Sequence, residues 1–115
     1  MKNKIKYLLL CISMIFTQFN WDENGIPIRQ GYHIEWQRTS DVGSNGEVIF
    51  AWSDTRIGDR DVYAKKIDIN GNDLWGAEGI AVINASGRQE DPQLVSDGAG
   101  GAYVIWKDYR DEPDD

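Results

Sequence analysis

The chain has 115 residues, with 12 Lys and Arg against 19 Asp and Glu for a net charge of −7. That length holds one modest globular unit, and the acidic balance excludes a nucleic-acid binder, since neutralising phosphates takes clustered Lys and Arg. Twelve Gly and three Pro, with five Trp and five Tyr, point away from helix bundles and toward a turn-rich all-β chain.

From Met1 to Asn20, Lys2, Lys4 and Lys6 precede an apolar run from Tyr7 to Phe16, and no acidic residue occurs before Asp22. This is the layout of a secretory signal peptide, so a secreted or cell-surface product with no membrane attachment after cleavage is expected. An uncleaved membrane anchor is the competing reading, although about ten apolar residues span only ~15 Å as a helix, half of a ~30 Å hydrocarbon core. Thr17 to Asn20 offer no A-x-A pattern, so the cut is expected somewhere within that stretch. Cys11, the only cysteine, lies inside the apolar run, which leaves a mature chain that relies on packing rather than disulfides.

Residues 21–56 align without a gap on residues 75–110, an offset of 54. Identities fall at Trp21/Trp75, Gly25/Gly79, Ile26/Ile80, Gly46/Gly100, Trp52/Trp106, Asp54/Asp108 and Arg56/Arg110. Seven matches in 36 positions, where unrelated chains give about two, mark a tandem repeat.

Each repeat reads as antiparallel strands at roughly 34–39, 47–53, 61–69 and 72–75. Glu47 to Trp52 and Ala102 to Trp106 are apolar on both alternating faces, as strands sandwiched between neighbouring sheets require. Their upstream partners lead into the Gly-rich connections 42–46 and 97–100. The mixed polar and apolar stretch from Asp61 to Ile69 suits a strand nearer the edge, and Asn70-Gly71 after it predicts a type I′ hairpin turn. Gly79 to Ile83 is a further short apolar piece; it and Leu74-Trp75 are alternative outermost strands.

A four-stranded antiparallel sheet of about 50 residues, apolar on both faces and repeated in tandem, matches a β-propeller blade; a β-sandwich or open stack is the rival. The expected organisation is a signal peptide over 1–20, the end of a preceding partial repeat over 21–33, one complete blade over 34–83, and the start of a truncated blade over 84–115. Even four blades need about 200 residues, so about two repeats of a propeller-like array read as a fragment, with further blades of the same full-length chain as its first partners.

At Trp52, Asp54 and Arg56, repeated as Trp106, Asp108 and Arg110, at Asp61 to Ala64 with Lys66 to Asp68, and at Asn70, Gly71, Trp75 and Gly76, the sequence resembles a group of secreted bacterial repeat proteins. Their units carry W-x-D-x-R, D-[IV]-Y-A-x-[KR]-[IV]-D and N-G-x-x-x-W-G motifs. The resemblance spans residues 21–110 and implies a propeller-like fold, export and often a carboxy-terminal domain for type IX secretion, which these residues do not include. It implies little chemistry, because members of the group mostly lack an assigned activity. The first repeat departs from the second where His33, Glu35 and Trp36 stand against Gly87, Gln89 and Glu90.

The recurring Trp52, Asp54, Arg56 and Trp106, Asp108, Arg110 are read as structural residues, since a group present in every repeat normally serves the repeat's own packing. No catalytic constellation and no cofactor-binding motif stands out. Asp68 to Asp73 imitates a calcium loop but has Asp73 where Gly is required and Gly79 where a bidentate Glu would stand. Asp54, Asp59 and Asp61 are the remaining candidates for a Ca²⁺ cage. His33, the sole histidine, has no Cys nucleophile to partner in the mature chain. With Tyr32 and Trp36, whose counterparts are not aromatic, it is the candidate ligand contact.

The expected function is a non-catalytic exported module, a surface scaffold for adhesion or for contact with an extracellular protein or glycan. The alternative is a fragment of a glycoside-acting, sialidase-like propeller enzyme. Ser53-Asp54-Thr55-Arg56 does not meet the S-x-D-x-G-x-x-W Asp-box, and a glycosidase needs two carboxylates at a defined separation.

Overall fold

The structure is a computed structural model that describes residues 24–29 and 35–111, and the expected signal peptide lies outside them. Over these residues it is all-β, with six strands: β1 Glu35–Val42, β2 Val48–Asp54, β3 Asp61–Ile67, β4 Ile80–Ile83, β5 Gln89–Ser96 and β6 Ala102–Asp108. The first four form an antiparallel sheet in the order β1-β2-β3-β4, while β5 and β6 form a two-stranded antiparallel sheet. Among the described residues no sheet closes on itself.

The hairpin β5–β6 repeats the pairing of β1–β2 at the offset of 54. Glu35 faces Asp54 as Gln89 faces Asp108, Thr39 faces Ala51 as Gln93 faces Ile105, and Val42 faces Val48 as Ser96 faces Ala102. Each hairpin is interrupted once at the same place, where Gln37 (φ 42) and Asp91 (φ 55) take left-handed backbone in a bulge. Pro92 stands where Arg38 pairs with Trp52; without an N–H it cannot join the ladder, and the second bulge is wider by that residue.

One layer of the core lies between the two sheets, and the opposite face of the first sheet buries Trp52, Tyr63 and Ile67. β5 packs against β1, β2 and β3. On the first sheet, Ile49, Ala51, Ser53 and Val62 are fully buried and Ala64 nearly so. These residues alternate along β2 and β3 and share one face. Among the described residues the second sheet is covered on one side only, so Val104 and Trp106 are half-buried while Tyr103 and Ile105 are exposed.

Three local expectations are corrected. First, β3 is not near the edge: it pairs on both sides and is as buried as β2. Its polar residues tolerate this because Lys65 Nζ donates to the carbonyls of Pro27 (3.2 Å) and Ala77 (2.9 Å) and meets Asp73 (2.8 Å), while Asp61 accepts from the Ala85 N–H (3.3 Å). Second, residues 72–75 are not a strand. Asp73 makes only an isolated bridge to Ile67, and β4 covers the rest of the edge of β3.

Between these two pieces the chain turns at Gly76 to Gly79. At Gly79 (φ 73) a Cβ would stand 2.6 Å from the Ala64 carbonyl oxygen and 2.8 Å from the Trp52 ring, so only glycine lets the chain return to β3.

Third, the Asn70-Gly71 turn is not type I′, because that turn needs positive φ at both central residues and here Gly71 has it without Asn70. The loop is instead a turn from Asp68 to Gly71 (Gly71 N to Asp68 O, 3.0 Å), closed by the Asp68 N–H to Asn72 carbonyl bond (3.0 Å). The Asp68 carboxylate accepts the N–H groups of Asn70 (2.8 Å) and Asn72 (2.9 Å) and so favours this form.

The hairpin loops of the two repeats share this form but move the acid. In residues 43–47, Glu47 Oε2 accepts the Asn45 N–H (2.8 Å) beside Gly43; in residues 97–101, Asp97 accepts from Ala99 (2.7 Å) and Gly101 (2.9 Å). A Cβ on Gly43 would stand 2.5 Å from the Glu47 carboxyl carbon, and one on Gly101 2.7 Å from an Asp97 oxygen. The acid sits on one stem of the loop and glycine on the other, in opposite order in the two repeats.

Candidate functional site

The repeated Trp-x-Asp-x-Arg stretch closes on itself at the end of β2. Strand alternation puts Trp52 and Asp54 on one face, and the turn after Asp54 brings Arg56 back over them. The fully buried Asp54 carboxylate accepts from Trp52 Nε1 (2.8 Å), the Arg56 N–H (3.0 Å), Arg56 Nε (2.9 Å) and Arg56 Nη2 (2.5 Å). Arg29 Nε stands 3.4 Å away on the amino-terminal segment. The Arg56 guanidinium lies over the Tyr63 ring (3.6 Å to the centroid) and donates to the Glu78 carbonyl (2.8 Å).

Burial alone would raise the pKa of Asp54, but the bonds from Arg56 and Trp52 outweigh it and hold the carboxyl below its usual range. The opposite holds for Asp61, directly across the ladder from Asp54: burial, with the charges of Asp54 and Asp59 behind it, pushes its pKa up. Burial also raises the Tyr63 phenol, whose oxygen has no hydrogen-bond partner among the described residues.

The second copy makes the same clasp. Asp108 accepts from the Arg110 N–H (3.1 Å) and Arg110 Nε (3.0 Å), with Arg110 Nη2 closer still and Trp106 Nε1 at 3.4 Å. The bonds from Arg110 hold Asp108 far below the usual carboxylate range. This clasp is more open: the side chains of Asp108 and Arg110 are 25% and 45% exposed, against 0% and 14% for Asp54 and Arg56, since no counterpart of Tyr63 or Glu78 covers it among the described residues.

A cleft of about 560 Å³ opens beside the first clasp, between Ile28 and Arg29 on one side and Arg38, Ser40, Phe50 and Trp52 on the other. Its wall includes Trp52 and Arg29, both engaged by Asp54, while the half-buried Phe50 ring and the exposed Arg38 and Ser40 side chains can stack on an apolar surface and donate hydrogen bonds to oxygen acceptors. Apart from Trp52, these residues differ from their counterparts 54 positions on: Val82, Ile83, Pro92, Leu94 and Val104. Those departures from the repeat are the sequence signal of the cleft, whereas a search for aromatic departures alone leads to Trp36.

Of the candidate ligand contacts, Tyr32 and His33 lie outside the described residues. Trp36 stands opposite Ser53 in β1, and its side chain also lies outside the described part. Of the Ca²⁺ candidates, Asp54 has both oxygens held within the clasp, Asp61 stands across the ladder from it, and Asp59 is exposed in the loop that follows Asp54. Among the described residues no group of three or more His, Cys, Asp or Glu side chains is arranged to hold a metal ion. Comparison of the chain with protein-family models, curated proteins and solved structures finds no match.

Proposed function

We propose that the chain is a non-catalytic exported repeat module of propeller-like build, a scaffold whose cleft beside the first clasp contacts a glycan or an extracellular protein. The observation that carries this reading is the engagement of Asp54. Its carboxylate is ion-paired, buried and hydrogen-bonded through both oxygens, so it is poorly placed to move a proton or attack a substrate. The cleft next to it carries the groups that a sugar or peptide surface would need without any acid–base pair.

The test is a screen of the full chain against immobilised glycans and peptides, run beside chromogenic glycosides. Binding that weakens in Arg38→Ala, without turnover of any glycoside, is the expected result. Turnover that disappears in Asp61→Asn or Asp54→Asn would replace this reading with the glycoside-acting enzyme. Export is tested by the mass of the chain in the culture medium, with a new amino terminus expected between Thr17 and Trp21.

A further inference from the structure

Among the described residues the outer face of the second sheet is uncovered and carries an apolar cluster flanked by the exposed Gln93 and Lys107. Val95, Tyr103 and Ile105 are 55%, 69% and 70% exposed, and the β5–β6 register sets Val95 directly against Tyr103, so the three form one continuous patch. Their counterparts 54 positions earlier are Asp41, Ile49 and Ala51, which form the face of the first sheet that β5 covers; Ile49 and Ala51 are 0% exposed. The patch is therefore the second copy of a surface that the chain already buries once.

The chain also holds a second copy of the surface that does the covering. The side of β5–β6 turned toward the first sheet carries Leu94, Ser96 and Val104, and the equivalent positions in β1–β2 are Ser40, Val42 and Phe50. Ser40 is exposed, Val42 is 60% exposed, and Phe50 lines the open cleft.

We infer that two copies of this chain dock head to tail, the Val95, Tyr103 and Ile105 patch of one receiving the Ser40, Val42 and Phe50 face of the other in the arrangement already present between the two sheets of a single chain. The internal contact also supplies a polar registration element. Gln37 on the bulge of the first hairpin accepts the Asp91 N–H on the bulge of the second (2.9 Å). In the docked pair Asp91, on the outer bulge, stands opposite the Gln37 bulge of the incoming copy, with its carboxylate as the acceptor. Because the two faces differ, the contact is heterologous and propagates beyond a dimer unless one end is blocked. The inference rests on reading the two hairpins as copies of one unit.

The experiment is sedimentation of the full chain over a range of concentrations, with Ile105→Glu to block the tail and Val42→Glu to block the head. Both positions are exposed, so neither charge is buried in the single chain. The parent chain is expected to grow in mass with concentration. Each variant alone should stay monomeric, its association weakened by at least about tenfold. An equimolar mixture should form a dimer and nothing larger, because each variant retains the face that the other lacks.

A parent chain that is folded and monomeric throughout overturns the inference. So does a Val42→Glu variant that still associates, since that outcome assigns the contact to β6 pairing edge to edge. The Ile105→Glu monomer keeps the cleft intact, so ligand binding by that variant reports on the proposed function independently of docking.

Discussion

Gln37 and Asp91 occupy the same position in the two hairpins, share the same left-handed backbone, and are hydrogen-bonded to each other. Gln37 Oε1 accepts the Asp91 N–H at 2.9 Å and the Ser53 hydroxyl at 3.0 Å. A bulge leaves a backbone N–H without a ladder partner. Here the side chain at one bulge satisfies the amide of the next, and the two units are fixed in register by the irregularity they share.

Gln37→Ala removes both acceptor bonds while keeping the backbone demand. The expected loss is about 1 kcal/mol of stability, together with faster exchange of the Asp91 amide proton. Urea denaturation and hydrogen exchange measure the two effects. An Asp91 amide whose protection does not change would show that the bond is not formed.

Asp54→Asn and Asp108→Asn make the same change in two environments. At Asp54 the substitution leaves the guanidiniums of Arg56 and Arg29 facing a buried neutral amide, and a loss of about 3 kcal/mol is expected. At the more open Asp108 clasp a clearly smaller loss is expected, because solvent screens the pair. Equal losses at the two sites, measured by chemical denaturation, would contradict the difference in burial.

The exchanged acids of the two hairpin loops predict a compensating pair. Gly43→Asp brings a second carboxylate against Glu47, and Glu47→Gly removes the cap on Asn45; each is expected to cost about 1 kcal/mol. The double variant recreates the arrangement of Asp97 and Gly101 and should recover most of the loss. A double-mutant cycle reads the coupling directly, and strict additivity would argue against the exchange.

The pH dependence follows from carboxyls shifted in opposite directions. Asp97 is lowered by the N–H groups of Ala99 and Gly101, Asp68 by Asn72, and Asp41 by the N–H groups of Ser96 and Val42. The stability these groups contribute is fully present above about pH 4 and is lost as pH falls through their depressed folded values. Asp61 runs the other way. Its folded pKa is raised by burial, so its charge costs stability near neutrality and the cost fades on acidification. Asp61→Asn should therefore stabilise the chain relative to the parent at pH 7, and the gain should shrink toward pH 4. A gain that is flat with pH, in thermal unfolding followed across that range, would contradict the shift.

The strands most legible in the sequence were β2 and β6, because Glu47 to Trp52 and Ala102 to Trp106 place apolar residues at successive positions; β2 is buried on both faces as that pattern demands, whereas β6 leaves Tyr103 and Ile105 exposed on one face. The outer edge of β3 was harder. Leu74-Trp75 and Gly79 to Ile83 are both short and apolar, and the choice depends on the close approach of Gly79 to Trp52, a tertiary contact with no local signature. The bulges were hidden because Gln and Asp rather than Gly carry the left-handed backbone. Recurrence singled out Asp54 and Arg56, whereas the cleft arises only when residues 28–29 fold against β1 and β2 at positions the repeat does not share.

The most direct measurement of the central claim, that one unit is built twice at an offset of 54, is the set of cross-strand contacts between backbone protons in solution NMR. The account predicts contacts of Thr39 with Ala51 and of Gln93 with Ile105, positive φ at both Gln37 and Asp91, and a contact from the Gln37 side chain to the Asp91 amide. A different register in the two hairpins, or a bulge in one and not the other, would contradict it.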